Sequence, residues 1–455
     1  MQLNLLEFCT KINQMFSLKC SEYDKTWQKR SRIITTKLLI LVILKTILSK
    51  NKPGYGNILT EVWDNCGNKN IDLPQMNSLA ASSLCEARQK MPEGVFKILN
   101  IELIKLYQSN IGDTLWFGHR VFATDGSKLN MPTGLLNYGY KVSKDRGRHY
   151  PNGMMSCLYN LQDKLIYDCL LVSHNNERKC AIDHIKTLSP GDVVVYDRGY
   201  FSYIMARITL DSNVNAVFRV QIGGNVNGKI QEFADSSHVD QIIEYIPSIA
   251  VKHEIKKQGH KFDTSPIKLR LIKYTVKDQL YVCATTLLDQ IKYPTECFCD
   301  LYHSRWGIEE LYKVSKVDIN IEEFHSKTER GVKQEIFGHA LLINLARIFE
   351  KHCDINQKYN DDKLNNNATE DKLEPTETPK FQVNFKNCLA VVGRYLENII
   401  LGNVNTFCTW VDNAKRSIQR LKQKIRSNRS YPRISFKPRN SWTSFGRSFV
   451  KPVKH

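Results

Sequence analysis

The sequence predicts an α/β protein: a mixed sheet core with a β-strand insertion, flanked by N-terminal and C-terminal helical regions. Three observations predict it. The apolar residues change from a helical period to alternating, strand-like runs near residue 116. Across 118–202 the elements read strand, strand, strand, helix, strand, an order that suits a mixed sheet covered by helices. Helical periodicity then returns after residue 290. At 455 residues the chain exceeds one compact core. Its 42% hydrophobic content is ordinary for a folded protein.

Residues 1–115 read as a helical region that binds DNA. MQLNLLEFC lacks the basic start and continuous apolar stretch of a secretory signal. IITTKLLILVILKTILS (33–49) is short and interrupted by Lys37 and Lys45, which predicts a buried helix rather than a membrane span. SLAASSLCEARQKMPEGVFKILNIELIKLYQ (78–108) is helical with a break at Met91-Pro92. Two helices joined there suit a DNA-binding helix-turn-helix or an ordinary bundle.

The first part of the core spans 116–212. HRVFATDGSK (119–128) reads as a strand ending at Asp125. Residues 154–175 read as a hairpin turning at Gln162-Asp163-Lys164, and 176–188 as a helix. GDVVVYDRGYFS (191–202) reads as a buried strand ending at Asp197. A β-rich insertion covers 213–290, with NAVFRVQI, LRLIKYTV and QLYVCATTL as its strands. The last core helices fall within 291–353, one at 302–316 and one at 333–352. The Asn-rich, acidic stretch 354–380 reads as a disordered linker. Residues 381–455 are helical and then basic, and 413–455 hold 13 Lys or Arg and no Asp or Glu.

Charge narrows the partners. Lys plus Arg is 65 against 46 Asp plus Glu, a net +19, which suits a polyanion such as DNA. Thirteen cysteines form no framework; Cys297 and Cys299 make a CxC with no second pair at zinc spacing. They read as reduced thiols of a cytoplasmic protein.

The candidate chemistry is carboxylate chemistry. Asp125 and Asp197 each end a strand, and loops at strand ends form the crevice of an α/β sheet. If the strands are adjacent, the two carboxylates meet and repel unless a cation joins them. The helix YHSRWGIEELYKVSK (302–316) supplies a third. At 100° per residue, Tyr302, Arg305, Glu309 and Lys316 fall at about 0°, 300°, 340° and 320°, an arc of about 60°. Lys313 joins that stripe, Trp306 and Tyr312 border it, and Ile308, Leu311 and Val314 lie opposite. The stripe suits either a solvated face with a Glu309–Lys313 pair or a wall facing phosphates. Two Asp and a Glu are the oxygen donors that hard divalent cations take. Two such ions activate a water or a 3′ hydroxyl and stabilise the leaving oxygen.

Tyr302-x2-Arg305-x3-Glu309-x6-Lys316 has the spacing of the YREK signature of the IS-four (insertion sequence four) family of DDE transposases, which the chain resembles from about residue 78 to 350. TDGSK around Asp125 and YDRGY around Asp197 fall in the expected order, with a β-rich insertion before Glu309. The resemblance implies an RNase H-like core and two Mg²⁺ ions (or Mn²⁺) on Asp125, Asp197 and Glu309. It implies phosphate contacts by Tyr302, Arg305 and Lys316, and suggests one by Arg198. It implies nicking of double-stranded DNA at inverted-repeat ends, strand transfer into target DNA, and a homodimer bridging two ends. Tyr281 lies where some members carry a stacking tryptophan. Gly126 departs from the family, in which a hydroxyl residue often follows the first Asp; here the hydroxyl is one position later, at Ser127. A related metal nuclease such as a resolvase, and an inactive DNA-binding derivative, share these features. Glycosidase chemistry also uses paired carboxylates, but the basic charge argues against it.

Overall fold

The computed structural model describes residues 4–28, 33–49, 51, 53–142, 150–223, 228–257, 259, 263–366 and 381–424, with side chains omitted for 354–366. Helices come first: α1 (Leu5–Trp27), α2 (Thr36–Leu48), α3 (Tyr55–Asn68), α4 (Ala81–Lys90) and α5 (Gly94–Asn110). Asn4 starts α1 in a reciprocal capping box with Glu7. Helix α2 is apolar nearly all round and correspondingly buried along its length. Among the described residues no helix is long and apolar enough to cross a membrane.

The sheet strands are β1 (Val121–Asn130), β2 (Lys141–Val142), β3 (Pro151–Asn160), β4 (Leu165–Val172), β5 (Val193–Tyr196), β6 (Asn215–Val220), β7 (Asp240–Tyr245), β8 (Ile267–Val276) and β9 (Gln279–Thr285). Helix α6 (Glu177–Ile185) follows β4, α7 (Tyr203–Asp211) follows β5, and α8 (Gly228–Asp235) and α9 (Ile249–Lys257) flank β7. β3 runs antiparallel to β1 and to β4. β1, β5 and β6 are parallel, and β9, β8 and β7 extend the sheet antiparallel from β6. This is the mixed sheet core flanked by helices that the sequence predicts, with two corrections. β1 does not stop at Asp125; it runs on to Asn130 because β3 keeps pairing with it. β6 belongs to the parallel core, so the inserted strands are β7, β8 and β9, and they lengthen the same sheet.

The predicted helix at 302–316 is three pieces: α10 (Cys297–Ser304), α11 (Trp306–Lys313) and a π-helical turn over Val314–Asp318. The next helix, α12 (Glu329–Asn366), continues past 352 into the segment expected as linker; residues 367–380 lie outside the described ones, as does the basic stretch from 425. The C-terminal elements are β10 (Phe381–Val383), α13 (Phe385–Arg394), α14 (Leu396–Ile400), α15 (Phe407–Arg420) and β11 (Lys422–Lys424).

The terminal regions share one core rather than forming separate bodies. α12 packs on α2, α5 and α13, and α1 packs on α14 and α15. A single apolar cluster joins Phe8, Leu41, Leu99, Ile343, Leu396 and Ile418. Arg88 of α4 is buried and bonds Gln334, Gly331 and Glu335 of α12. Asn100 of α5 donates to Ile166 O in β4. The α4–α5 pair is thus built into the helical layer over the sheet.

Candidate active site

The sheet sets the first two carboxylates on neighbouring strands. β1 and β5 pair in parallel with Ala123 opposite Val195. Two residues further on, the same register sets Asp125 opposite Asp197, where the ladder has ended and the strands part. Asp125 lies on the continuing β1 strand; Asp197 is the first residue beyond β5.

The α10–α11 segment crosses this end of the sheet. Tyr302 is buried and its hydroxyl donates to Asp197 Oδ1 at 3.1 Å. Arg305 sits at the break between the two helices, 6% exposed, and its Nη2 donates to Glu309 Oε1 at 2.8 Å. Glu309 therefore pairs backward with Arg305 and not forward with Lys313, which is exposed. Burial disfavours the Arg305 charge, but Tyr302, Glu309 and Asp197 outweigh it and raise its pKa. Burial pushes Asp125 up to about 6; the Gly126 N–H and Arg305 oppose the rise, while Glu177 and Glu309 add to it. The Arg305 guanidinium therefore acts on all three carboxylates. Its Nε is buried without a hydrogen-bond partner, which leaves a donor for an incoming anion.

Of the predicted stripe, Tyr302 and Arg305 are buried, Glu309 and Lys316 half-buried and Lys313 exposed. Tyr312, expected at its border, is buried and donates to the main-chain O of Asp125 at 2.6 Å, while Cys157 N–H donates to the same hydroxyl at 3.2 Å. It pins α11 to β1 and β3 beside Asp125. The π-turn carries Lys316 out of the regular wheel, and its Nζ donates to Lys128 O at 2.9 Å. Burial lowers the Lys316 pKa, with Glu322 opposing. Such turns recur where a helix must aim one side chain.

Tyr281 stacks on Tyr274 across β8 and β9, rings 5.6 Å apart and parallel. Arg219 of β6 lies over the Tyr281 ring at 4.6 Å, and its charge reaches Tyr302. The aromatic pair therefore borders the carboxylate cluster. Arg198, beside Asp197, is exposed. Ser127 follows Gly126 on β1, opposite Met155.

Sequence reasoning missed the support beneath Asp125. Glu177, in the first turn of α6, reaches over Gly126: a Cβ there would meet Glu177 Cγ at 3.0 Å and Oε1 at 3.3 Å. α6 itself is held by His184, whose Nε2 lies 3.0 Å from Ser156 Oγ and whose Nδ1 lies 2.9 Å from Asp168 Oδ2. Burial works against the Asp168 charge, but His184 and Lys97 hold it down at about 2. Ser156 and His184 are fully buried, so this serine–histidine–aspartate chain is an internal strut and not a nucleophile. The signal for Glu177 was present in the sequence, as an acid opening a helix after Asn176.

As placed, no three Asp, Glu, His or Cys side chains among the described residues converge closely enough to hold one ion. The reason is visible: Asp197 is turned to Tyr302 and Glu309 to Arg305. The donor set is nonetheless all carboxylate, the set a hard divalent cation takes. Gly126 is packed closely beside Asp125: a Cβ there would meet Met154 Sδ at 2.9 Å and Glu177 Cγ at 3.0 Å.

A family model described as a transposase DDE domain matches residues 116–345. Transposase InsG for insertion sequence element IS4, of Escherichia coli (strain K12), is 20% identical over 336 residues, covering 72% of this chain and 73% of the relative. A cryo-EM structure of the piggyBac transposase synaptic complex with hairpin DNA covers 100% of this chain and 86% of its own at 10% identity, with a TM-score of 0.41.

Proposed function

The chain belongs to the transposase DDE-domain family and is a DNA-cleaving and strand-transferring transposase, and on that premise we propose that Asp125, Asp197 and Glu309 are its three catalytic carboxylates. The observation that carries this reading is Arg305: one buried guanidinium acts on all three acids. Divalent cations, Mg²⁺ or Mn²⁺, held by these three residues would supply activation of the attacking water or 3′ hydroxyl and stabilisation of the leaving oxygen. The chain's own groups do the rest. Tyr302 orients Asp197 through its hydrogen bond. Tyr312 fixes the backbone of Asp125. Arg305, with an unpaired Nε, takes a phosphate oxygen near the cut, and Lys316 and Arg198 extend that contact along the strand. Tyr281, with Tyr274 behind it, offers a ring for an unstacked base.

The substrate of this reading is double-stranded DNA: the element's inverted-repeat ends and a target duplex, held by a homodimer in the bacterial cytoplasm. The helical layer of residues 1–115 would bind outside the cut. So would the exposed cations Arg416, Arg420, Lys422 and Lys424. Phosphate contacts position the duplex without reading its bases.

Pre-cut, labelled element ends incubated with a target plasmid and Mg²⁺ test the reading. Covalent joining of end to plasmid is expected. Hydrolysis without joining would instead identify a nuclease or resolvase. Arg305→Ala is expected to weaken binding of an end duplex about tenfold and to reduce the slope of log affinity against log salt by about 1. An unchanged slope in a salt titration would remove Arg305 from the phosphate contacts.

A further inference from the structure

We infer that Cys157 and Cys169 form an oxidation site: a dithiol that hydrogen peroxide closes into a disulfide, shifting β3 behind Asp125 and impairing DNA cleavage. The closing of the bond stands on the geometry alone; its effect on cleavage rests on the reading of Asp125 given above.

The two residues lie directly opposite each other across β3 and β4. The Cys157 N–H points away from β4, to the Tyr312 hydroxyl at 3.2 Å. The Cys169 N–H is taken by Asp168 Oδ1 at 2.8 Å. Each N–H is thus engaged away from the facing cysteine. This is a non-hydrogen-bonded pair, the kind whose Cα atoms approach to about 4.5 Å with their side chains close together. A disulfide spans roughly 4.4–6.8 Å between Cα atoms. The two thiols already share a hydrogen bond.

Cys157 is also the cross-strand partner of Asp125 on β1. The Tyr312 hydroxyl that takes the Cys157 N–H donates to Asp125 O at 2.6 Å and lies 3.3 Å from Met155 O. A bond that draws Cys157 toward β4 therefore pulls on the bridge that fixes the Asp125 backbone. Cys157 is fully buried, while Cys169 is 4% exposed. Cys169 lines a cavity of about 410 Å³ with Lys97, Tyr167, Asp168 and Phe337, many times the volume of a water-sized oxidant.

The chemistry closes without a further reagent. Peroxide delivers one oxygen to the Cys169 sulfur and leaves as water. The Cys157 sulfur attacks the resulting sulfenic acid; the S–S bond forms, the S–O bond breaks, and hydroxide departs with the Cys157 proton as a second water. The thiols lose two electrons and two protons, and the peroxide gains them. Contact with Cys157, burial and Asp168 hold the Cys169 thiol protonated, against Lys97. Because the thiolate is the reactive form, closure is slow near neutral pH and speeds as pH rises.

The test treats the full chain with hydrogen peroxide at pH near 7 and near 8.5, alkylates the remaining thiols, and maps peptides by mass spectrometry beside nicking of a labelled end duplex. A Cys157–Cys169 crosslinked peptide is expected, formed faster at the higher pH. Nicking at saturating duplex is expected to fall about tenfold or more and to return with dithiothreitol. Cys169→Ala, with Cys169→Ser in its place if the alanine variant folds poorly, is expected to nick like the untreated parent and to keep that activity in peroxide. Every other cysteine remains in these variants, so inactivation that persists in them overturns the inference. So does a parent that forms no crosslink between 157 and 169, or one that forms it and nicks as before. If Asp125→Asn nicks as well as the parent, the reading of Asp125 falls, and the effect on cleavage falls with it, whatever the peptide map shows.

Discussion

Asp125→Asn is expected to stabilise the protein and abolish its activity at once. The Asp125 carboxyl is held at about 6, above its ordinary 3.8, chiefly because it is buried. A folded-state pKa above the unfolded one means that ionising this group opposes folding. Its favourable contribution is fully present below pH 3.8 and is lost as pH rises through about 6. The asparagine variant carries no such cost. It should therefore match the parent near pH 3.5 and exceed it by about 1–3 kcal/mol at pH 7 without divalent ions. Urea denaturation in EDTA at the two pH values reads the difference. End cleavage in Mg²⁺ should fall by a factor of about 10³ or more, because an amide cannot serve as an anionic oxygen donor. A variant no more stable than the parent at pH 7 would mean that Asp125 is not desolvated as described.

Glu397→Ala is expected to cost about 3–5 kcal/mol, the usual penalty for stranding buried charge. Glu397 on α14 is fully buried, and its two oxygens meet Lys45 of α2 and Lys69 after α3, each at 2.8 Å. Asn65 of α3 adds a third bond at 3.2 Å. Burial raises the Glu397 pKa, but Lys45 and Lys69 outweigh it and the net shift is downward. A depressed carboxylate pKa stabilises the fold above the ordinary glutamate range, and that stability is lost as pH falls through the folded value. The parent should thus lose this contribution in acid, and the gap between parent and variant should narrow there. Denaturant midpoints across pH 3–7 check both statements. A gap independent of pH would assign the loss to packing alone.

That ion-pair cluster marks a limit of sequence reading. Lys45 is legible as an interruption in an apolar run, and it does argue for a buried helix. Its partner stands 352 positions further on, read directly from the two residue numbers, and no local pattern links them. The same holds for the shared core of the two terminal regions. The sheet is more legible, because β5 announces itself by a β-branched run, and β1 and β5, the strands that carry Asp125 and lead to Asp197, pair in parallel. The helix wheel correctly grouped Tyr302, Arg305 and Glu309. It failed beyond Lys313, where a π-turn breaks the period, and it could not tell a solvated stripe from a buried one. A wheel places Tyr312 at the border of the stripe because it does not contain the sheet on which that side chain packs. The place of Glu177 is not legible locally, because it is set by the close approach of α6 to Gly126, 51 positions earlier.

The most direct test of the account is a labelled duplex carrying one end of the element, incubated with the parent or with Glu309→Gln, with and without Mg²⁺. The three-carboxylate site predicts a nick at the element's end that requires both Mg²⁺ and Glu309, with the variant still binding the duplex. A Glu309→Gln protein that cuts as well as the parent, or a parent that cuts equally in EDTA, would contradict it.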